Sequence, residues 1–324
     1  MDRRTLLATL ASGAAVAASP FAHAQEYPAQ LIKWVVPYPA GGGTDVIARV
    51  LAESMRQTLG QQIVVDNRPG ASTNIGADIV AKSKPDGYTI LSADNAVLAF
   101  NEHLFSKLPF SPERDFTYIG AIGKFPLALV VHPDFPAKNF KEFLAYVKAN
   151  PGKVNYASPG NGSPHHLAME MFKVRTGTFI THIPYRGAAP AMADVMGGQV
   201  PCMFLDLASG LSIMQSNKVR VLAIGSGARS KVLPNVPTLA EVGVPNTEVF
   251  AFQGILGPAG LPPAVVSKLN GDLNKAFGTP AVQKRFEDFG MEAMPGTPAQ
   301  FAALSRAESG RWGPIIKQAG IKLD

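Results

Sequence analysis

The 324-residue chain has one cysteine, Cys202. That excludes an internal disulfide and a thiolate metal cluster, so the fold must rest on its apolar core. Cys202 sits in the apolar run VPCMFLD, where a buried, inert thiol is expected. Charge is sparse as well. Asp, Glu, Lys and Arg make up 17% of residues, and the excess of +6 is scattered, with its tightest clusters at Lys82/Lys84 and Arg229/Lys231. A nucleic-acid groove needs a concentrated basic stripe with aromatic platforms, so that class is excluded. Nor does any apolar run approach the roughly 18 residues of a membrane span.

What the first residues do contain is Arg3-Arg4, a small-residue apolar stretch over residues 6–18, and Ala22-His23-Ala24, the A-x-A form read by signal peptidase. The expectation is a signal peptide over residues 1–24, cleavage after Ala24, and a periplasmic chain beginning at Gln25. The paired arginines also fit twin-arginine export, but that motif is incomplete and general secretion fits better. The remaining 300 residues suffice for two ordinary domains, with 46% hydrophobic residues to fill a core.

Strand and helix patterns alternate along the chain. Residues 31–36 read as a buried strand, and residues 44–59 as a helix with apolar positions at Ile47, Leu51 and Met55, stopped by Gly60. Further helices are expected over residues 140–150, 262–277, 280–289 and 297–319. A second α/β series opens after Pro151-Gly152. Such alternation predicts parallel sheet covered by helices, with ligands at the carboxyl ends of strands. No internal repeat or disordered linker separates the two series, so two domains joined by crossing strands are expected.

Two turns carry the chemistry. Gly41-Gly42-Gly43 precedes a helix with Thr44 as expected N-cap and Asp45 in the first turn, which makes an anion seat of bare amides. No lysine makes it a phosphate loop, and Val46 occupies a glycine position of the dinucleotide fingerprint. The second turn, residues 158–163, again leads from strand to helix, with Ser163 as N-cap and Pro164 at the first helical position. Gly160 and Gly162 there free the backbone, while Ser158, Asn161 and Ser163 offer side-chain donors. Two facing helix starts make a clamp suited to a carboxylate, since charge-assisted hydrogen bonds of about 1.5 to 3 kcal/mol each offset its desolvation.

The blocks VVPYPAGGGTD, VVDNRPGAS, KSKPDGYTI, ANPGKVNYASPGNGSPHHLA, HIPYRGAAPAMADVMGGQV, VPTLAEVG, GILGPAGLPPAVVSKLN and SRAESGRWGPIIKQAGIK occur in that order. Through them the chain resembles the Bug family, periplasmic receptors of tripartite tricarboxylate transporters. The resemblance implies a type II periplasmic-binding-protein fold: two α/β lobes joined by two crossover strands, with lobe I over residues 25–125 and 249–324 and lobe II over residues 126–248. It implies a small organic acid in the cleft, no cofactor or metal, a monomer, and docking on two membrane subunits, or a sensor partner in place of a transporter. Carried over, the first-lobe seat is Tyr38, Ala40, Gly42, Gly43 and Thr44, joined by Ser72, Ser92, Asp94 and Asn95. From the second lobe come Ser158, Asn161, Gly162, Ser163, His165 and Asp206. Asp206 could meet a ligand amine or hydroxyl, or merely cap a helix. The chain departs from the family in having Tyr38 for a common Phe, and Ser72-Thr73-Asn74 where Gly-Gly-Asn is usual. Arg186 fits a structural or rim role better than a carboxylate partner.

Enzyme readings fare worse. Ser163, His165 and Asp206 could be drawn as a hydrolase triad, but the G-x-S-x-G elbow is missing. His132, His165, His166 and His182 lack metal-ligand spacing.

Overall fold

The computed structural model describes residues 27–324; the expected signal peptide and its cleavage point lie outside them. Ten strands are joined into one sheet. They are β1 (Ile32–Val36), β2 (Ile63–Asn67), β3 (Thr89–Asp94), β4 (Phe116–Val131), β5 (Asn155–Ser158), β6 (Thr181–Pro184), β7 (Cys202–Asp206), β8 (Arg220–Ile224), β9 (Phe250–Pro258) and β10 (Glu292–Ala293). The order is β2-β1-β3-β9-β4-β7-β5-β6, with β8 and β10 on β4.

Strand β4 belongs to both lobes. Its first part, from Phe116 to Pro126, pairs antiparallel with β9. From Leu127 to Val131 it pairs instead with β7 and β8. On one side, β1 lies parallel to β2 and β3; on the other, β5 lies parallel to β6 and β7. The expected parallel sheets are thus present twice, and β4 and β9 carry the chain between them.

Helices cover both sheets: α1 (Gly43–Leu59), α2 (Asn74–Ala81), α3 (Asn101–Leu104), α4 (Phe140–Ala149), α5 (Pro164–Thr176), α6 (Ala188–Met196), α7 (Leu207–Gln215), α8 (Pro263–Ala276), α9 (Pro280–Asp288) and α10 (Pro298–Gln318). A π-helical turn, Ala96–Phe100, leads into α3. Helix α1 forms because Ile47, Leu51, Met55 and Leu59 make one buried stripe, and Gly60 ends it in the left-handed region at φ 71°. Helix α10 opens on a reciprocal capping box between Thr297 and Gln300. Among the described residues no helix is long and apolar enough to cross a membrane. Cys202 is fully buried, and its thiol donates to the Asn155 carbonyl at 3.3 Å.

Candidate functional site

Between the lobes lies a cavity of about 120 Å³. Its walls come from the turn before α1, the ends of β3 and β7, the starts of α5 and α6, and the crossover strands at Phe125 and Gln253. A wider cavity of about 450 Å³ adjoins it, reaching Ser72 and Thr73 on one side and Asn161 and Gly162 on the other. Tyr38, Pro39, Pro159, Ser163, Arg186 and Gly187 border both.

The first-lobe seat has an N-cap different from the one the sequence suggested. Gly42 caps α1, not Thr44, and no side chain caps the helix. The reason is Asp45: its carboxylate turns back to accept from the Gly41 amide at 2.9 Å and from Asn67 at 2.9 Å, and it pairs with Arg49. Burial pushes the Asp45 carboxyl up, but the bonds from Arg49, Gly41 and Asn67 outweigh it and hold it below the usual range. The amides of Gly42, Gly43 and Thr44 find no acceptor among the described residues, so the helix start is bare at the cavity. At Gly43 a Cβ would stand 3.3 Å from Ala208 Cβ and 3.4 Å from Asp206 Oδ1. A side chain here would crowd the opposite lobe.

On the second lobe the turn of residues 158–163 is closed on itself. The Gly160 amide donates to Ser158 Oγ at 3.2 Å, and the Gly162 amide to His166 Nδ1 at 3.1 Å. Ser163 caps α5 as expected, accepting from the His166 amide, and its hydroxyl donates to the Gly160 carbonyl at 2.8 Å. The bare amides are found one turn further on. Gly187, at φ 112°, opens α6 without a side-chain cap, and the amides of Ala188 and Ala189 have no acceptor among the described residues. The stretch RGAAP carries the same signature as the first seat, glycine before a helix start, and was readable on that ground.

Two carboxylates face the cavity in different states. Asp94 accepts from the Tyr38 hydroxyl at 2.6 Å, and burial pushes its carboxyl up despite that bond. Asp206 is the N-cap of α7. It accepts from the Ser209 amide at 2.7 Å, from the Ser209 hydroxyl, and from His165 Nε2 at 2.9 Å. Burial raises its carboxyl too, but the bond and charge of His165 outweigh it and hold it low. Of the two roles open to Asp206, capping is the one occupied. Three buried polar atoms at this cavity lack partners among the described residues: His165 Nδ1 and both side-chain amide atoms of Gln253. A fully buried amide with neither end bonded is a costly arrangement unless something polar fills the cavity.

Tyr38, Ala40, Gly42, Gly43, Thr44 and Asp94 line the smaller cavity from the first lobe, and Ser163, His165 and Asp206 from the second. Ser72, Asn161 and Gly162 line the wider one. Three expected residues reach neither. Ser92 is buried beneath Trp34, whose Nε1 donates to it at 2.9 Å. Asn95 pins β9, donating to the Phe250 carbonyl and accepting from the Phe252 amide. Ser158 is bonded to His182 Nε2 at 2.6 Å. Sequence reasoning also missed Gln253, whose signal is a lone polar residue inside the apolar strand FAFQGIL. As for the hydrolase triad, His165 and Asp206 meet, but the Ser163 hydroxyl is committed to Gly160 and to the α5 cap. Among the described residues no group of three or more His, Cys, Asp or Glu side chains could hold a metal ion.

A family model described as the tripartite tricarboxylate transporter family receptor matches residues 47–321. Protein BugT of Bordetella pertussis (strain Tohama I) is 38% identical over 301 residues, covering 93% of this chain and 92% of BugT. Among solved structures, the periplasmic binding protein BugD is 36% identical with a TM-score of 0.87, covering 91% of this chain and 99% of BugD. Rpa4515 of R. palustris, solved with adipate, is 32% identical with a TM-score of 0.88, covering 92% of this chain and 99% of its own. The two lobes and their crossover strands are therefore a type II periplasmic-binding-protein-like fold.

Proposed function

This chain belongs to the tripartite tricarboxylate transporter receptor family, and from that membership we propose that it captures a small organic carboxylate between its lobes and delivers it to the membrane subunits of such a transporter. The protein is periplasmic; we place signal cleavage after Ala24 and take the working form to be a monomer, because one chain supplies every wall of the cavity. The lobes divide near Pro126 and Val249, a reading supported by the change of partner along β4.

One observation carries the carboxylate reading. Bare amides at Gly42, Gly43 and Thr44 face the same cavity as bare amides at Ala188 and Ala189, with the unbonded Gln253 amide on the strand between. Charge-assisted bonds of about 1.5 to 3 kcal/mol each, from five backbone donors, exceed the several kcal/mol lost on desolvating the anion. These donors converge only when the lobes are together. The ligand therefore stabilises the closed form, and capture is a population shift with no chemistry. Arg186 stands at the mouth, bordering both cavities, where it steers anions inward.

The test is a thermal-shift and calorimetric screen of malate, succinate, adipate, aspartate and nicotinate, on protein unfolded and refolded to strip copurified ligand. At least one acid raises the melting temperature by mass action. Failure of every acid to bind, or steady hydrolysis of esters abolished by Ser163→Ala, refutes the reading.

A further inference from the structure

Gln253 is 1% exposed, yet it lines the smaller cavity from the crossover strand β9. Side chains alternate faces along a strand, so Ala251 and Gln253 share the face turned to the cavity. Both Oε1 and Nε2 of Gln253 lack partners among the described residues. Its neighbours in the sheet explain why. Opposite it on β3 stands Asp94, whose oxygens accept from the Tyr38 hydroxyl at 2.6 Å and from the Ala96 amide at 3.1 Å. Opposite it on β4 stands Gly123, which has no side chain to offer. An apolar residue would continue the run FAFQGIL without orphaned groups, but the chain has an amide there, aimed into the cavity.

A carboxamide sets an acceptor oxygen beside two donor hydrogens. A carboxylate only accepts: it can take a bond from Nε2, but it leaves Oε1 bare and puts an anionic oxygen next to it. Both ends are satisfied by a ligand that carries a donor beside its carboxylate. The bare amides at Gly42, Gly43, Thr44, Ala188 and Ala189 are all donors themselves, so none of them can read such a group. Arg186 and the positive ends of α1 and α6 face the same cavity, which favours a neutral hydroxyl there over an ammonium.

We infer that Gln253 selects hydroxy acids: its Nε2 donates to a carboxylate oxygen of the ligand, and its Oε1 accepts from a hydroxyl carried beside that carboxylate. The inference rests on the carboxylate reading above and narrows it to one class of acid.

Isothermal titration of the mature chain, stripped of copurified ligand, with acids paired to differ by one hydroxyl tests it: malate against succinate, citrate against tricarballylate, lactate against propionate, and mandelate against phenylacetate. Within any pair that binds, the hydroxy acid should bind at least about tenfold tighter, because its analogue leaves the buried Oε1 unpaired. Gln253→Met keeps the length of the side chain and removes both polar ends. It should bring that ratio close to one, while urea melts show the ligand-free variant at least as stable as wild type, since an unpaired buried amide is gone. Gln253→Leu serves as a second apolar variant. A ratio near one in the wild type overturns the inference, because water then satisfies the amide. A variant that loses stability and keeps the wild-type ratio makes Gln253 structural and overturns it too. Aspartate binding more tightly than malate makes the donor an ammonium and overturns the hydroxyl assignment. Binding of adipate or nicotinate by a protein that takes none of the hydroxy acids sinks this inference alone, whereas failure of every acid sinks the carboxylate reading with it. The wild-type arm decides even if neither variant folds.

Discussion

Acidifying the protein from about pH 7.5 to about pH 5 should lower its unfolding free energy by about 2 kcal/mol through His166 alone. His166 and His182 stack with centroids 4.1 Å apart, and His182 stacks in turn on Tyr156 at 4.7 Å. The Gly162 amide donates to His166 Nδ1, so the native turn needs that nitrogen as a lone pair. Burial, helped by the Lys173 charge, pushes His166 down from 6.5 to about 4; burial, helped by the charge of His166, pushes His182 down to about 3. The unfolded chain binds protons near pH 6.5 while the folded chain refuses them until about pH 4. Stability is therefore full above the unfolded value and falls as pH drops below it. His182 is less buried, and water relieves part of its penalty, so its share is smaller. Native carboxylates held low, such as Asp45 and Asp206, act only below about pH 4.5, whereas Asp94, pushed up by burial, gains stability as pH falls and opposes the histidine loss, so the His166 share is the difference between wild type and variant. Urea melts at several pH values give the free energy at constant m. Across the window wild type should lose about 2 kcal/mol more than His166→Gln, whatever the variant's absolute stability. An unchanged slope in the variant refutes the argument.

Two further outcomes follow from the geometry. Gly43→Leu puts branched carbon where Ala208 and Asp206 already stand within 3.4 Å, so the lobes cannot meet; affinity for an acid from the screen should fall by at least about a hundredfold with stability little changed, and wild-type affinity would dismiss the seat. Ala71, Ser72 and Thr73 all sit at positive φ, 46°, 52° and 77°, a left-handed run that costs about 1 to 2 kcal/mol per non-glycine residue. After the entropy that glycine adds to the unfolded chain, Ser72→Gly should still gain up to about 1 kcal/mol in urea melts, and a loss would contradict the strain.

Features set by a few neighbouring residues were legible in the sequence. The buried stripe of α1, the Gly60 stop, the Ser163-Pro164 helix start and the strand–helix alternation all depend on local periodicity or cap chemistry. Side-chain direction depends on partners far along the chain. Ser92 and Asp94 share a face of β3, yet Trp34 covers the first and leaves the second to Tyr38. Gln253 stands opposite Asp94 only through the antiparallel register of β3 and β9. The amides of Gly160 and Gly162 looked free because nothing nearby in sequence announces that Ser158 and His166 bend back to take them.

Leu127 donates to the Val249 carbonyl at 3.1 Å, and Gly225 bonds both strands there, donating to Leu127 and accepting from Val249. On the proposed division near Pro126 and Val249, the whole second lobe leaves and rejoins the molecule at a single seam. Such a seam makes it a cassette: one contiguous gene segment could be replaced by that of a relative without re-threading the remainder. Half of the clamp could then diverge toward new guests while the other half is inherited intact.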